Sequence, residues 1–433
     1  MPIRFLHAAD IHLDSPFRGL ERYDGAPVDR IRGATRKAFD RLVDLAIDRR
    51  ADFAIISGDL YDGDWRDYNT GLYLASRLNR LRDAGIPVVL IKGNHDAHNK
   101  MTRSLRLPNN AIWLDHDRPQ TVRFDHLNVA VHGQSFASRD VSDNLAKAYP
   151  KPVGGWTNIG LLHTALTGKE GHEPYAPCTL DDLRASEYDY WALGHIHARE
   201  TLNREPFIAF PGNLQGRHAR ETGPKGCLIV EVDRGTIRER FHRLDAVRWE
   251  RVRVDLNDVA RDDDLWGLIA SRFDELLRDD PDPDRLLAAR LILHGVTPID
   301  DRIRTQADRY VAEARGLATE RGDGRIWVEK VELQTRPYRA SAVADGPMRV
   351  LEELLGEFRD DPTELIAELE GLRKKLPGEF TAEPDGIPLH DPDCLRSLLE
   401  GVGPVLRDLL RRAQAETAGS ASADPAASKG IDS

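Results

Sequence analysis

Cysteine is nearly missing from this chain, with only Cys178, Cys227 and Cys394 in 433 residues. An odd, scattered set excludes a disulfide framework and any zinc-finger spacing. Long apolar runs are missing too, and nothing approaches the ~18 residues that a membrane-spanning helix needs. No basic-then-apolar segment opens the chain, so no secretory signal is expected and the plain reading is a cytoplasmic protein without a membrane anchor. Positive charge falls short of negative, 61 Lys and Arg against 72 Asp and Glu, for a formal net charge of -11. That balance excludes a protein that coats nucleic acid by bulk electrostatics, which needs a basic footprint. A nucleic-acid enzyme stays open, because divalent cations and a partner can supply positive charge where it is needed.

Hydrophobic residues make up 40% of the chain, enough for real cores. Single cores stop growing at ~250–300 residues, so more than one domain is expected. Residues 1–245 read as alternating strands and helices. A helix is expected over Asp29–Arg50, where Ile31, Ala38, Phe39, Leu42, Leu45 and Ala46 recur at helical spacing, and another over Gly71–Asp83. Strands are expected at Thr121–Phe124, Leu127–His132, Phe207–Phe210, Cys227–Val232 and Thr236–Phe241, the last two joined as a hairpin through Asp233-Arg234-Gly235. Residues 246–337 read as a small α+β unit. Its order is strand, helix Leu265–Leu277, strand Leu286–His294, helix Asp301–Arg315 stopped by Gly316, and strand Arg325–Gln334. Residues 338–415 are helical, ending in Asp391–Ala415 with a strong leucine face, broken into pieces by Pro377, Pro384 and Pro388. Residues 416–433 are small and polar and are expected to be disordered.

The chemistry concentrates where apolar runs end. Phe5–Ala9 leads to Asp10 and His12, Phe53–Ile56 to Asp59, and Val88–Ile91 to Asn94 and His95. Ile159–Leu162 leads to His163, and Trp191–Leu193 to His195 and His197. Five hydrophobic strands, each ending in ligand-type residues, describe one metal centre at one edge of a buried sheet, where loops vary while strands hold them rigid. Imidazole and carboxylate suit divalent metals that hydrolyse esters. Asp59 has two oxygens and can bridge two ions, while neutral Asn94 limits ligand charge so that a phosphate can still bind. Two ions ~3.5–4 Å apart can clamp the oxygens of an in-line phosphoryl displacement. Gly58, Gly93 and Gly194 each precede a ligand, where a tight turn or close approach is needed.

The motifs DIH, GDLYD, GNHD, the single HT and GHIH, in this order, resemble those of the calcineurin-like metallophosphoesterases. HAADIHLDSPFRGL and FPGNLQGRHARETGPKGCLIVEV narrow the likeness to the bacterial DNA repair exonuclease group, the SbcD-like and YhaO-like nuclease subunits. The resemblance implies an α/β fold: a four-layer α/β/β/α sandwich with a small α+β accessory (capping) domain and a helical C-terminal region. It implies two Mn²⁺ ions, or other divalent cations, and DNA cleavage from a 3′ end. It also implies an ABC-type coiled-coil ATPase docking on the C-terminal helices, and a homodimer is compatible with it. Carried over by motif, Asp10, His12, Asp59 and His197 hold one ion, and Asp59, Asn94, His163 and His195 the other. His95 is the non-ligand catalytic group, oriented by Asp96 through its other ring nitrogen. Archaeal and eukaryotic relatives place a histidine three residues after the bridging aspartate; here Asp62 stands there, as an acid does in bacterial relatives.

Arg18, Arg217 and Arg220, with His218, flank the motif loops as candidates for DNA phosphate contact. Tyr61 and Phe17 are candidates for stacking on an unpaired base, or for core packing. His98 and His132 read as structural. A phosphomonoesterase or cyclic-nucleotide phosphodiesterase could use the same metal core, and a decayed scaffold is a third reading. The stretch beyond residue 245 favours the nuclease, and the intact ligand set argues against the scaffold.

Overall fold

The structure, a computed structural model, describes residues 2–15, 25–62, 68–97, 107–166, 175–337, 346–376 and 388–421. Phe17, Arg18, His98, Pro377, Pro384 and residues 422–433 lie outside the described residues.

Two six-stranded sheets carry the N-terminal half. The first is built on β1 (Ile3–Ala8), β2 (Phe53–Ser57), β3 (Val88–Ile91) and β4 (Ala111–Trp113), all parallel, with the later strands β11 (Gly226–Asp233) and β12 (Thr236–Arg243) antiparallel beyond β1. The second runs in the order β5 (Gln120–Phe124), β6 (Val129–Gly133), β7 (Thr157–His163), β8 (Tyr190–Gly194), β10 (Phe207–Phe210), β9 (Glu200–Arg204). Its central strands β6, β7, β8 and β10 are parallel. The parallel strands β2, β3 and β8 are buried on both faces, which is why they read as apolar runs.

Alternation along β1 sorts the layers. Leu6 and Ala8 join Phe39, Leu42, Leu74 and Leu78 from the helices α2 (Ala34–Asp48) and α3 (Tyr68–Asp83) in one core. Phe5 faces the other way, into a core shared with Ile159, Leu161, Tyr190 and Phe207 of the second sheet. On that sheet's outer face, Trp191, Leu193 and Ile208 pack with Leu183 of α4 (Leu180–Ala185). The order is helix, sheet, sheet, helix. The expected Asp29–Arg50 helix is divided into α1 (Val28–Arg32) and α2 at Gly33.

The chain splits into two compact units, the second comprising residues 252–275, 291–321 and 330–433. A third sheet orders β13 (Val247–Asp255), β14 (Leu286–Thr297) and β15 (Ile326–Pro337), accompanied by α5 (Asp262–Asp279), α6 (Asp300–Thr305) and α7 (Ala307–Gly322). Gly316 does not stop the helix as expected. It meets only open space, and the ~1 kcal/mol that glycine costs in a helix is offset by buried Ala314 and Ala318 on either side. The helices α8 (Pro347–Asp360), α9 (Thr363–Arg373) and α10 (Pro392–Ala421) follow, and α10 extends past the expected end at Ala415. Among the described residues no helix is long and apolar enough to cross a membrane.

Candidate metal centre

The carboxyl ends of β1, β2, β3, β7 and β8 meet at one edge, where parallel α/β sheets place their ligands. Asp10 and His12 leave β1, Asp59 leaves β2, and Asn94 and His95 leave β3; His163 is the last residue of β7, and His195 and His197 leave β8. The ladder continues into the loops: Asp10 N–H donates to Gly58 O at 3.1 Å and His12 N–H to Asp59 O at 3.0 Å. Asp10, His12, Asp59 and His195 all adopt left-handed backbone, with φ of 50°, 46°, 50° and 102°. Such conformations cost about 1–3 kcal/mol each in non-glycine residues and persist only where the surroundings hold them. Close approach dictates the glycines. A Cβ on Gly93 would collide with Asp59 Oδ1, and one on Gly194 with the Ser57 carbonyl.

The side chains converge in two groups, each with ligand atoms within 4.8 Å of one another: Asp10, His12 and His197, and Asp59, His163 and His195. His12 Nε2 lies 3.2 Å from His197 Nε2. His163 Nδ1–H donates to Ser57 O at 2.8 Å, which turns Nε2 toward Asn94 Oδ1 at 3.0 Å and Asp59 Oδ2 at 3.5 Å. Asp59 Oδ2 is also 4.0 Å from His12 Nε2, so one carboxylate faces both groups. Asp10 accepts His195 N–H at 3.0 Å. Beneath them His7, fully buried, ties the sheets together through Tyr190 Oη, Ser57 Oγ and Leu193 O at 2.9, 3.1 and 3.2 Å. Burial drives its pKa down to about 3, so this histidine is neutral.

The donor set fits divalent cations. Burial pushes the Asp59 carboxyl up, but His163, His12 and His95 more than offset it and hold it well below the usual carboxylate range. Burial lowers His163, yet Asp59 and Asp10 lift it to about 9. Two buried carboxylates thus draw a proton onto an imidazole in the place where a cation would balance them. His12 Nδ1 makes no hydrogen bond among the described residues and lies 3.7 Å from Asp62 Oδ1, while Nε2 faces His197 and Asp59.

His95 stands beside this set, its ring 4.9 Å from that of His12. The expectation that Asp96 orients it is corrected. His95 Nδ1 is 2.9 Å from Asp62 Oδ1. Asp96 is fully buried and accepts the backbone N–H groups of Tyr61, Leu60 and Gly93 at 2.9, 3.0 and 3.2 Å, clamping the β2 loop to the β3 loop. Burial and the neighbouring Asp59 push Asp96 up to about 7, against the pull of those donors. Asp62 is the better placed acid: Ser15 Oγ donates to it at 2.6 Å and Arg217 lies at 3.5 Å.

Two further residues support the site without standing at the end of an apolar run, where the ligand candidates lie. Glu221 Oε1 holds His197 Nδ1 at 2.7 Å while its other oxygen accepts from Arg217 N and Asn213 Nδ2. Lys225 Nζ donates to His197 O at 2.8 Å. Both lie in the RETGPKG stretch, where no apolar periodicity marks them. Arg217 is half-buried and engaged with Asp62 and Glu221, whereas Arg220 and His218 are exposed. Tyr61 is fully buried in the helix-side core, the packing alternative. His132 is buried between Thr121 Oγ1 and Asn158 Oδ1 and stacks on Tyr188, a structural place.

Comparison with known proteins agrees with this geometry. Residues 3–199 match the family Calcineurin-like phosphoesterase, whose members bind divalent metals, and residues 249–336 match Metallophosphoesterase YhaO, middle domain. The chain is 36% identical over 300 residues to the uncharacterized metallophosphoesterase YhaO of Bacillus subtilis, covering 68% of this chain and 72% of that one. It is 25% identical over 283 residues to the DNA double-strand break repair protein Mre11 of Methanopyrus kandleri, covering 58% of each. Over 389 residues it is 26% identical to Mre11 of Archaeoglobus fulgidus, 83% of this chain and 82% of that one. Among these relatives, then, the Methanopyrus protein is spanned over less than two thirds of its length. The chain belongs to the calcineurin-like metallophosphoesterases and is a YhaO-like member of them.

Proposed function

We propose that this phosphoesterase is the exonuclease/endonuclease subunit of a DNA repair machine, hydrolysing phosphodiester bonds, from a 3′ end in its exonuclease action, with two Mn²⁺ or other divalent ions. Asp10, His12, Asp59 and His197 would hold one cation, and Asp59, Asn94, His163 and His195 the other. Bound there, such a pair supplies Lewis-acid neutralisation of phosphate charge. The protein's own part is proton handling. His95, drawn toward its protonated form by Asp62 and Asp59 against the effect of burial, donates a proton to the leaving oxygen. Asp62 fixes the ring through Nδ1 so that Nε2 is the donating atom. Arg217 and Arg220 are candidate contacts for the DNA phosphates flanking the scissile bond.

The observation that carries this reading is a single carboxylate, Asp59, facing two histidine groups with His95 beside them. DNA as substrate draws on the matched relatives named for double-strand break repair. Residues 246–337 would cap the substrate, and residues 338–415 would dock a coiled-coil ATPase. In support of docking, Val350, Leu354, Leu406 and Leu409 are exposed around an apolar hollow of about 460 Å³ between α8 and α10. End-labelled duplex DNA assayed with Mn²⁺, beside a nitrophenyl phosphate, tests the proposal. Shortening from the 3′ end is expected; activity on the small ester alone would make the protein a phosphomonoesterase or small-diester hydrolase instead.

A further inference from the structure

A concentration of positive charge lies on the outer edge of the first sheet. β12 is its terminal strand, paired among the described residues only with β11. Arg238, Arg240 and His242 take alternate positions opposite Glu231, Ile229 and Cys227, and so share one face at a repeat of about 6.8 Å. The end of α2 brings Asp48, Arg49 and Arg50 to the same place, and with Arg4 they line a groove of about 320 Å³. Arg4 is engaged, 2.7 Å from Glu231 and donating to Arg49 O. Arg49, Arg50, Arg238 and Arg240 are exposed and have no ion-pair partner among the described residues. Glu239, half-buried and in the alternate register opposite Val230, also lines the groove, so five arginines there meet three carboxylates, those of Asp48, Glu231 and Glu239. His242 registers the convergence: burial, then Arg49 and Arg240, lower its pKa.

In a chain of net charge -11 this grouping is a local exception. Unpaired guanidinium groups gathered at one groove repel one another, and a polyanion relieves that repulsion. We propose that the β12–α2 groove binds the phosphates of a nucleic-acid backbone, as an accessory site apart from the metal centre. Guanidinium forks match phosphate oxygens two at a time. The lining offers one aliphatic side chain, Ile229, and no Phe, Tyr or Trp, its one ring being the imidazole of His242, so backbone and not sequence would be read. Arg4 on β1 precedes Asp10, which lies two residues past the strand's end, by six residues, at most about 20 Å at strand rise or roughly six base pairs of duplex. The inference rests on the nuclease reading for the identity of the polyanion.

Fluorescence anisotropy of the full chain with labelled duplex DNA in EDTA, over a salt series, tests it. The double variant Arg238→Ala/Arg240→Ala is expected to bind several-fold more weakly, to the same extent on unrelated sequences. The slope of log K against log salt should shrink by about 2, one for each phosphate no longer held. Arg49→Ala, on the helix side, should shrink it by about 1. Hydrolysis of a nitrophenyl phosphate should be unchanged in both. Wild-type affinity and slope in the variants would overturn the inference, leaving the arginines as guards that keep an edge strand from pairing; so would a wild-type chain that does not bind the duplex. Wild-type cleavage of DNA by variants that bind normally removes the groove alone. Loss of binding in a protein that never cleaves DNA removes the nuclease reading and leaves the groove.

Discussion

Asp62 Oδ1 lies 2.9 Å from His95 Nδ1, although 33 residues separate them and Asp96 is next to His95 in sequence. The acid three residues past Asp59 therefore serves the imidazole that flanks the metal ligands. Asp62→Asn should leave both cations bound and lower kcat by about 10–100-fold, the scale for groups that orient a reacting residue. His95→Gln should cost about 10²–10⁴-fold, also with metal retained. Metal content by elemental analysis beside steady-state rates separates the two effects. Loss of metal in either variant would contradict the assignment.

Glu221 predicts a different outcome. It holds His197 Nδ1 at 2.7 Å and so presents Nε2 toward His12. Glu221→Gln should weaken cation binding by about 10–100-fold, and raised metal concentration should restore turnover. Calorimetric titration with Mn²⁺ reads the affinity directly. Unchanged affinity would show that Lys225 and the ladder suffice to place His197.

His7 gives a pH dependence whose sign is fixed. Its pKa falls from 6.5 to about 3 on folding, so the unfolded chain binds the extra proton between those values. Stability supplied by the neutral ring is present above about pH 6.5 and is lost as pH falls toward about 3. Unfolding free energies from denaturant titrations at about pH 7.5 and about pH 5 should differ by roughly 2 kcal/mol more in the wild type than in His7→Gln. Equal losses in the two proteins would remove His7 as a source of acid sensitivity.

Much of this molecule is legible in its sequence. The strands that deliver ligands are buried on both faces, so Val88–Ile91 and Tyr190–Gly194 stand out as apolar runs with polar ends. Glu200–Arg204 does not, because an edge strand with half-exposed polar residues has no apolar face to betray it. Ala111–Trp113 is too short for any period. At the site, the ligand positions follow from where strands stop, but the supporting residues do not. Asp96 and Asp62 are both acids within the motifs, and only the turn after Gly93 decides that Asp96 points inward to three N–H groups while Asp62 meets His95. Glu221 meets His197 from 24 residues further along the chain, with β9 and β10 between them, and no local sequence period connects the two.

Seven side chains are assigned here to seat two cations, with Asp59 between them. Anomalous diffraction from crystals soaked in Mn²⁺ tests that assignment most directly. Two peaks ~3.5–4 Å apart are predicted. Asp10, His12 and His197 should touch one, Asn94, His163 and His195 the other, and Asp59 both. A single peak, or two peaks that Asp59 does not join, would contradict the account.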